Sequence, residues 1–139
     1  MSYLIDTNVL SELRRKQPNS DVVAWVQARP ASTLYISVLT LGELRKGIAS
    51  LGDSEKQQSL LDWLEVELPQ FFMGRVLPID AAIADRWGGL VAQAGRPVPA
   101  IDSLLAATAL VNGLQMVTRN HKDFAFPGLQ TINPWQQTN

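Results

Sequence analysis

Four acidic residues lie at separate points along the chain, and their side chains suit one kind of chemistry if the fold brings them together. They are Asp6, Glu43, Asp102 and Asp123. Carboxylates about 5 Å apart repel by roughly 3 kcal/mol per pair at an effective dielectric near 20. Such a cluster persists when a cation neutralises it or some members stay protonated. Oxygen ligands suit Mg²⁺ or Mn²⁺, and such an ion activates water for phosphodiester hydrolysis. The four acids therefore predict a metal-dependent nuclease.

The composition limits the other chemistries that the chain can perform. There is no cysteine, and His121 is the only histidine. Thiol nucleophiles, iron–sulfur clusters and cysteine zinc sites are excluded, and any zinc site would lack its usual soft ligands. The formal net charge is −1, from 12 basic and 13 acidic residues. Overall charge therefore neither attracts nor repels nucleic acid strongly, and such a partner must be held by local basic groups and by metal.

The length and the amino terminus indicate how the chain is organised. We expect a single domain over residues 1–139, because this length is typical of one hydrophobic core. The first residues are three apolar side chains followed by Asp6, which does not fit a signal peptide. No apolar run approaches the roughly 20 residues that span a bilayer. We therefore expect a cytoplasmic protein without a membrane segment.

Short apolar runs alternate with longer segments of helical period, which indicates an α/β fold with a mostly parallel five-stranded sheet. Helices are predicted from Val9 to the basic run at 14–16, and over residues 21–28, 38–51, 55–68, 81–94 and 100–110. Strands are predicted at residues 3–5, 33–36, 75–79, 115–118 and 130–132. Pro78 places the third strand at an edge, and Pro69 is expected to end the fourth helix.

These elements place the four acids at one edge of the sheet. Asp6 ends the first strand, and Glu43 lies in the first turns of the helix after the second strand. Asp102 opens the helix that leads into the fourth strand, and Asp123 follows that strand. Parallel sheets bind ligands outside the carboxyl ends of their strands, where the strand order reverses. If that reversal lies beside the first strand, all four acids face one crevice.

Each acid also has a purely structural interpretation. Asp6 could cap a helix, Asp102 could complement a helix dipole, and Asp123 could cap a loop. The stretch from Thr40 to Glu43 fits a capping box. Taken one at a time these interpretations are attractive, but they do not explain why all four acids fall at strand ends around one switch point.

Several stretches, in this order along the chain, resemble the PIN-domain nucleases and especially the VapC-like toxins of bacterial toxin–antitoxin pairs. They are Leu4-Ile5-Asp6-Thr7-Asn8, residues 37–47 around Gly42-Glu43-Leu44, Ala100-Ile101-Asp102, residues 117–124, and more weakly Ile132-Asn133-Pro134-Trp135. The resemblance implies a three-layer α/β/α sandwich with strand order 3-2-1-4-5 and metal-dependent cleavage of RNA. It further implies a homodimer and inhibition by a cognate antitoxin. Because the chain shows no helix-turn-helix motif, we expect DNA to be bound only through the antitoxin.

Carried over by position, Asp6, Glu43 and Asp102 match the metal-centred acids of that family, and Asp123 matches its more variable fourth acid. Asn8 and Arg119 match polar positions near the site. Asn8 could order a water on the metal and Arg119 could contact a phosphate. Alternatively, both residues only tie loop backbone together.

Three other features have two interpretations each. His121 beside Asp123 could be a general base, but an exposed loop histidine is favoured. Asp80 ends the third strand, and because that strand should be at the far edge we expect it to cap the next helix. The run Arg14-Arg15-Lys16 is either a solvated helix end or an RNA contact.

The rival functions fit fewer residues. A haloacid dehalogenase-type phosphatase needs a second acid two residues after the first, where this chain has Asn8. A response-regulator receiver would be matched by Asp80 alone among its acids. Neither a P-loop nor a glycine-rich dinucleotide fingerprint is present. A third alternative keeps the fold without catalysis, as a module that only binds a partner.

Overall fold

The computed structural model describes residues 1–136, which form a sheet covered by helices on both faces. The strand order is β3-β2-β1-β4-β5, and every neighbouring pair is parallel. This confirms the predicted order and places the first strand beside the reversal. The strands are β1 (Tyr3–Ile5), β2 (Leu34–Ser37), β3 (Val76–Leu77), β4 (Gln115–Val117) and β5 (Thr131–Ile132).

Helices connect successive strands, and short turns complete the links. A π-helical turn, Trp63–Glu67, joins the fourth helix to the fifth, and 3-10 turns occupy Ala31–Thr33 and His121–Phe124. Across residues 1–136, no helix combines the length and the apolar character needed to cross a bilayer. The helices are α1 (Thr7–Leu13), α2 (Ser20–Gln27), α3 (Val38–Ala49), α4 (Ser54–Asp62), α5 (Leu68–Phe71), α6 (Ala81–Ala94) and α7 (Ala100–Val111).

The two faces of the sheet carry separate hydrophobic cores. Consecutive strand residues point to opposite faces, so Leu4 packs into one core and Ile5 into the other. Met116 and Val117 of β4 divide in the same way. Because helices cover both faces, the strands read as continuous apolar runs rather than alternating ones. The result is the expected three-layer α/β/α sandwich.

The prediction that Pro69 ends the fourth helix is wrong, because the helical path continues through it to Phe71. The π-helical turn lies just before the proline, and within it the Leu68 N–H donates to the Trp63 carbonyl. Pro69 therefore falls in the first turn of α5, where the missing N–H costs little. A local widening of the helix accommodates the residue that was expected to stop it.

The edge strand is shorter than predicted, spanning Val76–Leu77 rather than residues 75–79. Its edge position is confirmed, and Pro78 follows it immediately. The guanidinium of Arg75 donates to the Leu34 carbonyl at 2.5 Å and also to the carbonyls of Ala31 and Phe71. One side chain thus fastens the start of β3 to its neighbours.

Candidate active site at the carboxyl edge of the sheet

Asp6 lies at the centre of the carboxyl edge, directly after β1, and is only 7% exposed. Its N–H donates to the Val117 carbonyl at 2.9 Å, which carries the pairing with β4 one residue further. One carboxylate oxygen accepts from the Thr7 N–H at 2.8 Å, so Asp6 caps α1. The other accepts from the Thr118 hydroxyl at 2.7 Å. The capping role and the site role therefore coexist on separate oxygens.

Glu43 reaches the same edge from α3. Its Oε1 accepts from the Thr7 hydroxyl at 2.6 Å, which links α3 to the start of α1. The alternative of a capping box from Thr40 to Glu43 is wrong, because α3 begins earlier and is capped by Ser37. Thr40 is instead fully buried, and within residues 1–136 its hydroxyl has no hydrogen-bond partner. Glu43 therefore does not cap α3, and its carboxylate lies at the edge of the sheet, where it accepts the hydrogen bond from Thr7.

Asp102 lies in the first turn of α7 and is half-buried. Its pKa is raised from 3.8 to about 6, first by desolvation and then by the charges of Asp6, Asp123 and Glu43. A carboxylate that only complemented a helix dipole would be stabilised in its charged form, which lowers the pKa. The pKa of Asp102 is shifted the opposite way, mainly because its carboxyl group is partly buried, and the charges of the other three acids add to that rise.

The same pattern of charge acts on Asp6. Burial raises the pKa of Asp6, the hydrogen bonds from Thr118 and Thr7 oppose that rise, and the charges of Glu43 and Asp123 add to it. The charges of the other three predicted acids thus all act on Asp102, and those of Glu43 and Asp123 act on Asp6. Asp123 is the most peripheral, because it is exposed on the turn His121–Phe124.

A cavity of about 440 Å³ opens at this edge and is lined by Asp6, Glu43 and Asp102. Two cationic side chains, Arg15 and Arg119, line it as well. The donor set is entirely oxygen, which is the preference of Mg²⁺ and Mn²⁺. Within residues 1–136, however, no three acids converge closely enough to hold one ion as they stand. The chemistry of the residues fits a hard dication, while closer convergence is opposed by their mutual repulsion.

Asn8 connects Asp6 to the loop after β4. Its amide donates to the second oxygen of Asp6 at 3.3 Å and to the Thr118 hydroxyl at 3.4 Å. Its carbonyl oxygen accepts from the Arg119 N–H at 3.4 Å. Asn8 thus contacts both the acid and the loop backbone. The Arg119 guanidinium lies over the Trp135 ring, 5.2 Å from its centroid.

Thr7, which hydrogen-bonds to Glu43, was missed from the sequence, and so were two further polar residues that support the site. Thr118 is fully buried, donates to Asp6, and accepts from the Asn120 N–H at 3.1 Å. Thr118 comes directly after Val117, and Val117 pairs with Ile5, so Thr118 lies beside Asp6 at the end of the neighbouring strand. A polar residue at this position is the feature of the sequence that could have predicted its role. The other is Glu12, a carboxylate only 5% exposed that also lines the cavity.

Two residues set aside from the sequence lie where they were expected. His121 is exposed at the start of its turn. Asp80 caps α6, accepting from the Ile83 N–H at 2.9 Å. The fifth acid at a strand end is therefore a cap at the far edge of the sheet.

This fold and this edge define a class of protein. The PIN domain family model matches residues 3–126, and the chain belongs to that family. Over 136 residues it is 41% identical to the plasmid stability protein StbB of Pseudomonas syringae pv. tomato, covering 96% of this chain and 98% of that protein. It is 38% identical to the VapC ribonuclease Y4jK of Sinorhizobium fredii, covering 96% and 97%. It is 37% identical to the toxin FitB of Neisseria gonorrhoeae, covering 95% and 97%.

Solved structures agree with the sequence relatives. The crystal structure of FitAcB from Neisseria gonorrhoeae matches with a TM-score of 0.89 at 36% identity, covering 97% of this chain and 99% of that chain. FitAB bound to the IR36 DNA fragment gives 0.89 at 33% identity, covering 99% and 98%. VapBC2 from Rickettsia felis, bound to a fragment of its promoter, gives 0.74 at 26% identity, covering 96% and 98%. The resemblance to VapC-like toxins is confirmed.

Proposed function

We propose that this protein is the toxin of a toxin–antitoxin pair and that it acts as a metal-dependent endoribonuclease. The observation that carries the proposal is the cavity at the carboxyl edge of the sheet, which Asp6, Glu43 and Asp102 line together. The raised pKa of Asp6 and of Asp102, each caused first by burial and then in part by the other acids, accords with it. The fold keeps charges together there at a cost that a bound dication would remove. The relatives named VapC ribonuclease and toxin FitB supply the type of reaction.

In this proposal Asp6, Glu43, Asp102 and the more peripheral Asp123 would hold Mg²⁺ or Mn²⁺. When bound there, such an ion would supply Lewis-acid activation of water and would compensate charge on the phosphodiester. The chain's own residues position the ligands: the Thr118 hydroxyl and the Asn8 amide fix one oxygen of Asp6.

Thr7 performs the same positioning for Glu43, because its hydroxyl donates to the Glu43 carboxylate. Arg119 lines the cavity, where its planar guanidinium suits a phosphate oxygen. A phosphodiester bound in this cavity would lie close to the acids, and the positive charge of Arg119 would attract its phosphate.

Apolar surface that lies away from the four acids is where we expect protein partners to bind. A second cavity of about 710 Å³ is lined largely by apolar side chains, including Leu10, Val26, Trp63 and Phe72. We propose that an antitoxin helix covers apolar surface of this kind and that DNA is bound only through the antitoxin. The structurally similar VapBC2 from Rickettsia felis is bound to a DNA fragment from its promoter.

We further propose a homodimer with α3 and α4 at or near the contact. On α3 the apolar side chains of Leu44 and Ile48 are buried in the core and are not available for a contact between subunits. Val38 at the start of α3 and Val66 in the π-helical turn after α4 remain exposed. Light scattering across micromolar concentrations should show a dimer, and a monomer throughout that range would contradict this part.

One alternative is a PIN fold that binds a partner without catalysis. The observation in its favour is that the acids of residues 1–136 do not yet converge into a three-ligand group. A phosphatase-like hydrolase is less well supported, since Asn8 occupies the position where a second acid is needed, and Asn8 is already engaged by Asp6 and Thr118.

Cleavage of RNA by the purified protein, free of partner, separates these functions. We expect cleavage in Mg²⁺ or Mn²⁺ and none in EDTA, with Asp6→Asn as the inactive control that excludes contaminating nuclease. A protein that binds the ion without cutting RNA would support the silent module. Cleavage by the wild type that continues in EDTA, while Asp6→Asn purified in the same way is inactive, would reject the metal-dependent site.

A further inference from the structure

The structure separates the three members of the basic run Arg14-Arg15-Lys16. The Arg14 guanidinium lies over the Trp63 ring, 5.4 Å from its centroid, and lines the apolar cavity. Arg15 lines the acidic cavity together with Asp6 and Arg119. Lys16 is exposed beyond the end of α1. Arg14 and Arg15 also line a smaller cavity beside Glu43, but of the three basic residues only Arg15 lines the cavity that contains Asp6 and Asp102.

Glu12 is the residue that holds Arg15 there. Its Oε1 forms an ion pair with Arg15 Nη1 at 3.3 Å, although the Arg15 side chain is 67% exposed. Its Oε2 accepts from the Asn19 N–H at 2.9 Å, which ties the end of α1 to the cap of α2. Buried charge of this kind is rare unless it is paired. Since Glu12 is anchored by backbone, it can fix the guanidinium rather than follow it.

Arg119 is fixed from the opposite end of the chain. Its guanidinium lies over Trp135, its N–H donates to Asn8, and its carbonyl accepts from Asn133 Nδ2 at 3.4 Å. The positive charge of Arg119 also contributes to the lowered pKa of Glu12, after the hydrogen bond from Asn19 and the effects of Arg15. Two guanidinium groups therefore lie near one buried carboxylate at the wall of the cavity.

We propose that Glu12 is a positioning residue that holds Arg15 at the cavity wall, where Arg15 and Arg119 together bind the phosphates of the RNA on which the four carboxylates act. The proposal rests on the proposed function and deepens it. The ion pair with Glu12 keeps Arg15 from neutralising the metal-binding acids. The two arginines and Glu12 leave one net positive charge, which matches a phosphodiester. A chain of net charge −1 needs such a local cationic site to hold RNA.

The test is a double-mutant cycle with a matched control. Variants Arg15→Ala, Glu12→Gln and their combination are compared with Lys16→Ala, which removes the same charge one residue away. The affinity of a fluorescent RNA oligonucleotide is measured by anisotropy in EDTA, where metal-dependent cleavage is off. The KM and kcat are then measured in Mg²⁺. Gln keeps an oxygen for the Asn19 N–H, so Glu12→Gln tests the charge rather than the link between helices.

We expect Arg15→Ala to weaken RNA binding roughly five- to tenfold, to raise KM by a similar factor, and to change kcat by less than about twofold. The dependence of log affinity on log salt should become shallower by about one unit, and Lys16→Ala should have a much smaller effect. Glu12→Gln should weaken binding about threefold with Arg15 present and leave it unchanged in Arg15→Ala.

Each contrary outcome identifies what fails. Equal effects of Arg15→Ala and Lys16→Ala would overturn the proposal, and independent, multiplying effects of Glu12→Gln and Arg15→Ala would reduce Glu12 to a structural residue. If Glu12→Gln does not fold, the comparison of Arg15 with Lys16 still decides the phosphate contact. If the wild type binds RNA through Arg15 but does not cut it, only the proposed ribonuclease function is contradicted. If the wild type does not bind RNA, the proposed function and the phosphate contact of Arg15 are both contradicted.

Discussion

Two aspartates follow strands of the same sheet and cap the helices that come next, yet they have different surroundings. Asp6 follows the central strand β1, is buried, and accepts hydrogen bonds from Thr118 and Asn8 as well as from the helix. Asp80 follows the edge strand β3, is exposed, and accepts from the Ile83 N–H. A strand, an aspartate and a helix are local features common to both. What differs is the strand order, which surrounds only Asp6 with other acids.

The comparison predicts its largest effect on activity. Asp6→Asn should lower kcat for RNA cleavage by about 100-fold or more, because a metal ligand contributes several kcal/mol to transition-state stabilisation. Asp80→Asn should leave kcat within about twofold, since asparagine caps helices as well as aspartate does. Initial rates of both variants in Mg²⁺ measure the difference. Comparable losses of kcat in the two variants would show that Asp6 has no role in catalysis that Asp80 lacks.

A second effect concerns the hydroxyl that supports Asp6. Thr118→Val removes a donor to the Asp6 carboxylate, and we expect a roughly tenfold loss of Mg²⁺ affinity, in the range typical of residues that orient metal ligands. Thr108→Val is the matched control, because Thr108 is equally buried and its hydroxyl donates to the Leu104 carbonyl within α7. Mg²⁺ titrations of activity separate the two. A loss of Mg²⁺ affinity in Thr108→Val as well would point to general destabilisation.

A third effect is the dependence of stability on pH in EDTA. The pKa of Asp102 is higher in the folded protein, at about 6, than its ordinary value of 3.8. The unfolded chain therefore releases this proton first, so the folded state loses stability as pH rises from about 4 and the loss is complete above about 6. We expect a loss on the order of 1 kcal/mol once solvent screening is allowed for.

Melting temperatures of wild type and Asp102→Asn between about pH 4.5 and about pH 7.5 test this, with Asp80→Asn as control. The difference between wild type and Asp102→Asn should grow with pH, to the disadvantage of wild type. A difference that stays constant over this range would mean that the pKa of Asp102 is not raised in the folded protein.

Much of the fold and of the acidic set follows from the sequence, for physical reasons. Tyr3–Ile5 is apolar on both faces and ends at an acid, which is typical of a central parallel strand at a ligand-binding edge. The prediction that Asp80 caps the next helix is also confirmed. It could be made because Pro78 indicates that the third strand lies at an edge of the sheet. The four acids could be placed because each follows a strand or opens a helix, and strand order then determines their common edge.

The supporting residues could not be placed, because their contacts are remote in sequence. Thr118 meets Asp6 across 112 positions, and Thr7 meets Glu43 across 36. Nothing local distinguishes Arg15 from Lys16, whose directions depend on how α1 ends. The continuation of the helix through Pro69 depends on a hydrogen-bond shift in the preceding turn, which composition does not reveal.

The measurement closest to the central claim is the effect of Mg²⁺ on the melting temperature of wild type and Asp102→Asn. If the wild type binds the ion with a dissociation constant of ~1 mM, then ~10 mM Mg²⁺ stabilises it by roughly 1.4 kcal/mol, or about 4–6 °C. We expect Asp102→Asn to melt above the wild type in EDTA and to lose most of the Mg²⁺ shift, while Asp80→Asn keeps it in full. Equal Mg²⁺ shifts in all three proteins, with Asp102→Asn no more stable in EDTA, would show that Asp102 is a helix-terminal acid like Asp80 and not a metal ligand.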